Sequence, residues 1–152
     1  MTSKQSSVGR EIENLLYWWI PVGDRIPTNS RRLQHLADKL SEALTEARAL
    51  VQIALKTSDC NVRLEAIEAA ILRMEDAKSI LDLLAEYCER NGKVHFISLK
   101  QKAAYLKMTE SIGRQLAGWE RKTKRTVEEK KAAEAQLSEA GGNLVNCGET
   151  QD

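Results

Sequence analysis

Positive charges repeated at regular intervals are the strongest chemical signal in this chain. Four of them recur every seven residues, a fifth falls within the same arc of a helix, and two more thicken its C-terminal end. In order they are Lys100, Lys107, Arg114, Arg121, Lys122, Lys124 and Arg125, and we call them the basic row. Because a seven-residue step drifts by only about 20° around an α-helix, the repeat keeps its members on one face.

A row of one sign suits an anionic polymer, because each phosphate that a cation neutralises releases condensed counterions. Along the predicted helix, Glu110 is the one carboxylate close enough to neutralise the row, through Lys107 or Arg114. No aromatic residue lies on the row to stack bases, so we expect it to bind the backbone of structured RNA or an RNA/DNA hybrid. The alternative is an ordinary solvated helix face that binds nothing.

Three consecutive aromatic residues, Tyr17, Trp18 and Trp19, form the second unusual feature. Successive helical residues point about 100° apart, so the three rings cannot all face one core. Either the end of a helix plugs the bundle, or at least one ring contacts another chain. Because Trp and Tyr are typical interface anchors, we predict that these residues take part in an oligomer or partner interface.

Signals for catalysis and for metal or cofactor binding are sparse. His35 and His95 have no partner at a recognisable spacing, and no glycine-rich phosphate loop or Glu-x-x-His pair occurs. The thiols of Cys60, Cys88 and Cys147 have no metal-type spacing and suit a reducing compartment. We therefore predict no catalytic residue, no metal and no cofactor. With no apolar run of membrane-spanning length and no signal-peptide core, we expect a cytoplasmic protein.

The net charge of +1 hides a strong asymmetry along the chain. Residues 90–131 contain 12 Lys and Arg against 4 Glu, whereas residues 30–89 have a net charge of −3 and residues 132–152 a net charge of −4. The strong helix formers Ala, Leu, Glu, Lys, Gln and Arg dominate residues 30–140. The distribution of charge is therefore more informative than its total.

Apolar periodicity and capping residues predict four helices. The first runs from about Ser7 to Trp19 and stops near Pro21. The second begins at Asn29 or Ser30 and continues to about Thr57. The third covers about residues 61–90, with Tyr87 on its inner face, and a capping box at Ser98–Gln101 begins the fourth.

Short links between long amphipathic helices force antiparallel neighbours. We predict an all-α protein, an antiparallel up-and-down four-helix bundle over residues 1–126. Beyond residue 126 the apolar stripe of the fourth helix fades. Residues 127–152 are predicted to form a helical or disordered C-terminal extension, with disorder over the last ten.

The helix order, Ile26-Pro27 before the second helix, and the segment Ile112-Gly-Arg-Gln-Leu-Ala-Gly-Trp119 resemble one family of four-helix-bundle proteins. One of its branches is the accessory variability determinant of diversity-generating retroelements. The other is the protein encoded in intervening sequences of 23S rRNA genes. The likeness covers about residues 10–125.

The resemblance to the retroelement branch implies a non-enzymatic homopentamer that binds a reverse transcriptase and template RNA and supports mutagenic cDNA synthesis. The matching basic positions of the last helix are Arg114, Arg121, Lys122, Lys124 and Arg125. Gly113 and Gly118 are expected to permit close helix approach, and Trp119 to lie in the core or an interface. The near-neutral charge and the acidic C-terminal end depart from the retroelement pattern and leave the rRNA branch open. A protein-interaction bundle without nucleic-acid binding is the further alternative.

Overall fold

The computed structural model describes residues 3–141, with side chains described for residues 7–139. Within this range the chain forms four α-helices and no strand. They are α1 (Ser3–Gly23), α2 (Arg31–Lys56), α3 (Cys60–Arg90) and α4 (Leu99–Gly141). The prediction of an all-α fold is confirmed.

The four helices form a closed ring. Each packs against the next in sequence, and α4 packs back against α1. The diagonal pairs have no Cα atoms within 8 Å of each other over residues 3–141. Connections of only a few residues separate successive helices, so neighbours run antiparallel, and the predicted up-and-down bundle is confirmed.

Side-chain caps set the beginnings of three helices. The Ser30 hydroxyl accepts a hydrogen bond from the Leu33 amide at the start of α2, and Asp59 accepts two amides at the start of α3. At the start of α4 the Gln101 amide donates to the Ser98 hydroxyl at 3.1 Å, while the Ser98 amide donates to the Gln101 side chain at 2.8 Å. The predicted capping box is present, and it satisfies two amides that a helix end would otherwise leave unpaired.

The prediction for the end of the first helix is wrong, because α1 continues through Pro21 to Gly23. A proline this close to a helix end removes a single amide donor, the one that would reach the Tyr17 carbonyl. In the turn that follows the helix, the Asp24 amide donates a hydrogen bond to the Ile20 carbonyl at 3.1 Å. Val22 is 1% exposed, so burial of apolar surface favours the extra turn.

The core consists of one buried row from each helix, with Ile12, Leu40, Ile67, Leu81 and Ile112 fully buried. One predicted position on α3 is wrong. Tyr87 is 39% exposed and stacks on Phe96 with ring centroids 6.5 Å apart, while the adjacent Cys88 is 5% exposed. The shorter Cys88 side chain takes the buried position, and the Tyr87 ring packs instead on Phe96 of the loop that leads to α4.

Helix α4 continues well beyond the last turn that packs on the bundle. Val127, 9% exposed, is its last buried residue, and from Glu128 to Glu139 every side chain is exposed except the half-buried Lys130. The described part of the predicted extension is therefore helical, and residues 142–152 lie outside the described range. Among the described helices, none is long and apolar enough to cross a membrane.

Candidate nucleic-acid interface

The structure places the basic row on the outward face of α4. All seven of its side chains are exposed, whereas Tyr105, Ile112 and Leu116 on the opposite face are 0% exposed. Because α4 is continuous, the row from Lys100 to Arg125 extends over about 38 Å at 1.5 Å per residue. Five of these cations, at positions 100, 107, 114, 121 and 125, therefore form a nearly straight line along α4, with Lys122 and Lys124 on either side of it.

Two members of the row form ion pairs. Arg114 contacts Glu110 at 3.1 Å, as the spacing predicted. Lys124 contacts both Glu68 of α3 and Glu120 of α4 at 3.8 Å, and sequence reasoning missed these pairs. Lys124 lies on the side of α4 that faces α3, so its carboxylates come from outside the arc of the repeat.

The remaining five members of the row have no carboxylate within 4 Å among the residues that the structure describes. They are Lys100, Lys107, Arg121, Lys122 and Arg125. Their side chains are exposed, and no described neighbour neutralises their charges at contact distance. A line of this kind generates a positive potential that attracts an extended polyanion.

Helix α1 carries one exposed arginine, Arg10, at the level of the Arg114 turn of α4. Gln115 donates to Glu11, and Trp18 lies against Tyr105 with ring centroids 5.7 Å apart. These contacts set the antiparallel register, in which Arg10 is level with the Arg114 turn. Arg10 is exposed, and within one turn of it α1 also carries Glu11 and Glu13.

Sequence reasoning missed Arg10. The available signal was its seven-residue spacing from Tyr17, which puts both side chains on one face of α1.

The three aromatic residues of α1 point in three directions, as their 100° steps require. Tyr17 is 72% exposed, Trp18 is half-buried against Tyr105, and Trp19 is 2% exposed. The Trp19 indole nitrogen donates to the Ser41 hydroxyl at 2.9 Å. Trp19 therefore joins α1 to α2 inside the bundle and is not available to a partner, contrary to its place in the predicted interface. Tyr17 and the outer edge of Trp18 remain accessible.

Tyr105 fixes the rotation of α4 relative to α3. Its hydroxyl donates to the Asp82 carboxylate at 2.8 Å, and Lys102 forms an ion pair with Glu89 at 3.1 Å one turn away. Burial of the phenol raises the pKa of Tyr105 well above its ordinary value, and the hydrogen bond to Asp82 raises it further. The neutral phenol and its hydrogen bond thus hold the basic row outward.

The glycines of α4 do not mediate close packing between helices of this chain. A Cβ added at Gly113 would meet no atom within 4 Å, and at Gly118 it would meet only the Arg121 guanidinium at 3.8 Å. The expectation of close helix approach at these positions is therefore wrong within the bundle. Trp119, at 7% exposed, lies in the core.

The described residues include both histidines and two of the three cysteines. His35 and His95 are exposed, and no three His, Cys, Asp or Glu side chains between residues 7 and 139 lie close enough to hold a metal ion. Cys60 and Cys88 are free thiols, and Cys147 lies outside the described range. The feature with the clearest physical consequence is the outward face of α4 that carries the basic row, together with the exposed Arg10 and Asn14 of α1. We call this the α1–α4 surface.

Comparison with known proteins identifies no relative: the chain matches no protein-family model, no curated protein and no solved structure.

Proposed function

We propose that this protein is a non-catalytic, cytoplasmic, oligomeric bundle that binds RNA through the α1–α4 surface. The single observation that carries this proposal is the line of five exposed cations without a carboxylate at contact distance among the described residues. A helix face that only contacts water gains nothing from lacking carboxylates, because charges of mixed sign are hydrated as well as charges of one sign. A phosphate-binding surface, by contrast, binds more tightly for each carboxylate that is absent from it.

The finer part of the proposal is the biological setting. We propose that the protein is an accessory subunit of a diversity-generating retroelement and binds the reverse transcriptase and its template RNA during mutagenic cDNA synthesis. The resemblance of the segment 112–119 and of the basic positions that follow it supports this assignment. The same resemblance supports a pentamer. The near-neutral charge and the acidic C-terminal end favour the rRNA intervening-sequence branch as the second candidate.

The RNA-binding proposal is tested by the salt dependence of binding. With about five phosphate contacts, the log–log slope of the association constant for a labelled hairpin RNA should lie near −4 to −5 for a duplex. Reversing two unpaired members of the row, Arg121→Glu with Arg125→Glu, should weaken binding and make the slope shallower by about two.

The matched control makes the same change in net charge on the other side of the bundle, at Lys39→Glu with Lys56→Glu, both exposed on α2. It should leave the affinity within about twofold, since those lysines are remote from the surface. A slope near zero for the unmodified protein, or equal losses for the two double variants, would refute RNA binding by α4.

The retroelement assignment needs a separate experiment. The protein is co-expressed with the reverse transcriptase of the same gene neighbourhood and purified after nuclease treatment. Copurification in a fixed stoichiometry supports an accessory subunit. A neighbourhood consisting of an rRNA operon, with no reverse transcriptase gene, assigns the protein to the other branch.

A further inference from the structure

The face of α4 that carries the basic row continues beyond the bundle, where its charge changes sign. At about 100° per residue, Glu128, Glu129 and Glu139 lie within about 50° of the centre of the arc formed by the seven-residue repeat. Lys130 and Lys131 point more than about 100° away from that centre. One side of a single helix is therefore basic along the bundle and acidic beyond it.

The three carboxylates are exposed and have no partner in the described part of the chain. No Lys, Arg or His nitrogen between residues 7 and 139 lies within 4 Å of Glu128, Glu129 or Glu139. Lys124 lies one turn before Glu128 but pairs with other carboxylates. Because α4 is continuous, Glu139 lies about 21 Å along the axis from Arg125, too far to reach the row of its own chain. Both parts of this face therefore leave opposite charges unpaired within the described chain.

Two copies of the chain can pair these charges if their α4 helices lie antiparallel and face to face, with Val127 of one copy level with Val127 of the other. In that register Arg125 is level with Glu129 of the second copy, and Arg114 is within one residue of level with Glu139. The facing segments, residues 114–139, are about 38 Å long. Because the contact has two-fold symmetry, every ion pair is made twice, and the two bundles lie at opposite ends of it.

The same face has room for a second helix. Gly118, Ala132 and Gln136 occupy the arc between the charged positions. A Cβ added at Gly118 would meet no atom closer than 3.8 Å, and that atom belongs to the flexible Arg121 guanidinium. Small side chains let two helix axes come within about 8–10 Å of each other. The space at Gly118, which does not serve packing inside the bundle, is therefore available to α4 of a second copy.

We propose that two copies of this protein pair through antiparallel α4 helices, with the acidic end of each α4 on the basic row of the other. This inference goes beyond the proposed function, because it assigns a partner to residues 128–139 and does not depend on RNA binding. The contact is isologous and closes at two copies, so a larger oligomer requires a different surface. Since the pair uses cations of the row, RNA and the second copy compete for them.

The test measures self-association of nuclease-treated protein by sedimentation velocity at about 50 mM and about 500 mM salt. The sedimentation coefficient should be lower at the higher salt concentration, because salt screens ion pairs between exposed side chains. Two triple variants each place like charges across the contact and should weaken association at low salt at least about tenfold. The row variant is Arg114→Glu, Arg121→Glu, Arg125→Glu, and the extension variant is Glu128→Lys, Glu129→Lys, Glu139→Lys.

Mixing the two triple variants is the decisive step. In a pair made of one copy of each, opposite charges face each other again in both halves of the contact. An equimolar mixture should therefore regain the association that each variant loses alone. A variant with all six changes should regain it without a partner variant. All six side chains are exposed, so circular dichroism should show unchanged helix content in every variant.

A matched pair of single variants isolates the face of the helix. Glu139→Lys changes a carboxylate on the arc of the row and should weaken association. Glu134→Lys makes the same change in charge at an exposed position that points about 170° away from the centre of that arc. It should leave the association constant within about twofold of the unmodified protein.

Three outcomes would overturn the inference. They are an unmodified protein whose association is insensitive to salt, a mixture of the triple variants that does not associate, and equal losses in Glu134→Lys and Glu139→Lys. If the protein binds hairpin RNA with the expected salt slope but does not self-associate at low salt, this inference fails alone. If it pairs as described but binds no RNA, the proposed function fails and this inference stands.

Discussion

The two long sides of this bundle carry similar numbers of charged side chains but arrange them differently. On the side formed by α2 and α3, Arg73 contacts Asp76 at 3.1 Å and Glu46 at 3.5 Å, and Lys78 contacts Asp82 at 3.1 Å. On the α1–α4 surface, five described cations have no such partner. On the α2–α3 side, paired charges of opposite sign reduce the electrostatic potential. On the α1–α4 surface, the unpaired cations leave a positive potential in the solvent around them.

The two sides also differ in apolar exposure. Ile53 and Leu72 are 48% and 57% exposed, and they line an open groove of about 420 Å³ between α2 and α3. The two sides therefore differ in how their charges are paired more than in how many charges they carry. Exposed ion pairs contribute at most about 1 kcal/mol each to stability. The fold therefore loses little when one face excludes carboxylates.

The largest effect is expected where the two sides are joined. Trp19→Ala removes a ring that is 2% exposed and breaks its hydrogen bond to Ser41 of α2. Loss of packing at a buried aromatic should lower the free energy of unfolding by about 3–5 kcal/mol in urea denaturation. Tyr17→Ala, on the exposed face, should change it by less than about 0.5 kcal/mol. Similar losses for the two variants would mean that α1 is not anchored by Trp19.

A second variant adds carboxylates to the α1–α4 surface, so that its cations have partners like those on the side formed by α2 and α3. Ala103→Glu with Gly118→Glu adds carboxylates within one turn of Lys107 and Arg121, at an exposed and a half-buried position. RNA affinity should fall about tenfold, because each added charge opposes phosphate binding. A Cβ at position 118 meets nothing closer than 3.8 Å, so the variant should fold normally.

The matched control for that variant is Gly118→Ala. It should raise stability by about 0.5–1 kcal/mol through helix propensity, with no loss of RNA affinity. If the alanine variant loses as much affinity as the glutamate variant, the effect belongs to the glycine backbone and not to charge.

Tyr105→Phe tests how the row is held in place. Losing the hydrogen bond to Asp82 should cost about 0.5–1.5 kcal/mol of stability near pH 8. Since folding raises the pKa of Tyr105, its contribution is complete below the unfolded value near 10 and declines as the pH rises above that value. The stability difference between the two proteins, measured by urea unfolding, should therefore narrow between pH 9 and pH 11. A constant difference would contradict the raised pKa.

The smallest effect is expected on the side formed by α2 and α3. Arg73→Gln breaks two exposed ion pairs and should reduce the free energy of unfolding by less than about 1 kcal/mol. RNA affinity, measured by anisotropy with the same hairpin, should stay within about twofold. A large loss of affinity would place nucleic acid on α2 and α3 and remove the distinction between the two sides.

The helical repeat of the sequence correctly predicted features that depend on a single helix. The row on α4 is outward, the Ser98–Gln101 cap is present, and the bundle topology is confirmed. Most failures concern pairs of helices, although the missed Lys124–Glu120 pair lies within α4 at a spacing of four residues. The Lys124–Glu68 contact and the place of Arg10 beside α4 depend on how far each helix is rotated and shifted against its neighbour, which a helical repeat does not fix.

The boundary at Pro21 failed for a different reason. A proline predicts the end of a helix from local sterics, but here the apolar residues beyond it, such as Val22, are buried against the bundle. Tertiary packing outweighed a local preference. The exposed end of α4 required no tertiary support in this sense, because its Ala, Glu and Lys residues favour a helix by themselves.

The uninterrupted passage of α4 past Val127 makes residues 128–141 a mechanical continuation of the basic row. In a continuous helix, each residue adds a fixed rise along the axis and a fixed rotation around it. Deleting one residue after Val127 turns everything beyond it by about 100° and draws it back by about 1.5 Å, whereas deleting seven restores the direction to within about 20° at a position some 10 Å closer. The position and direction of Gly141 relative to the bundle are therefore set by the number of residues between it and Val127.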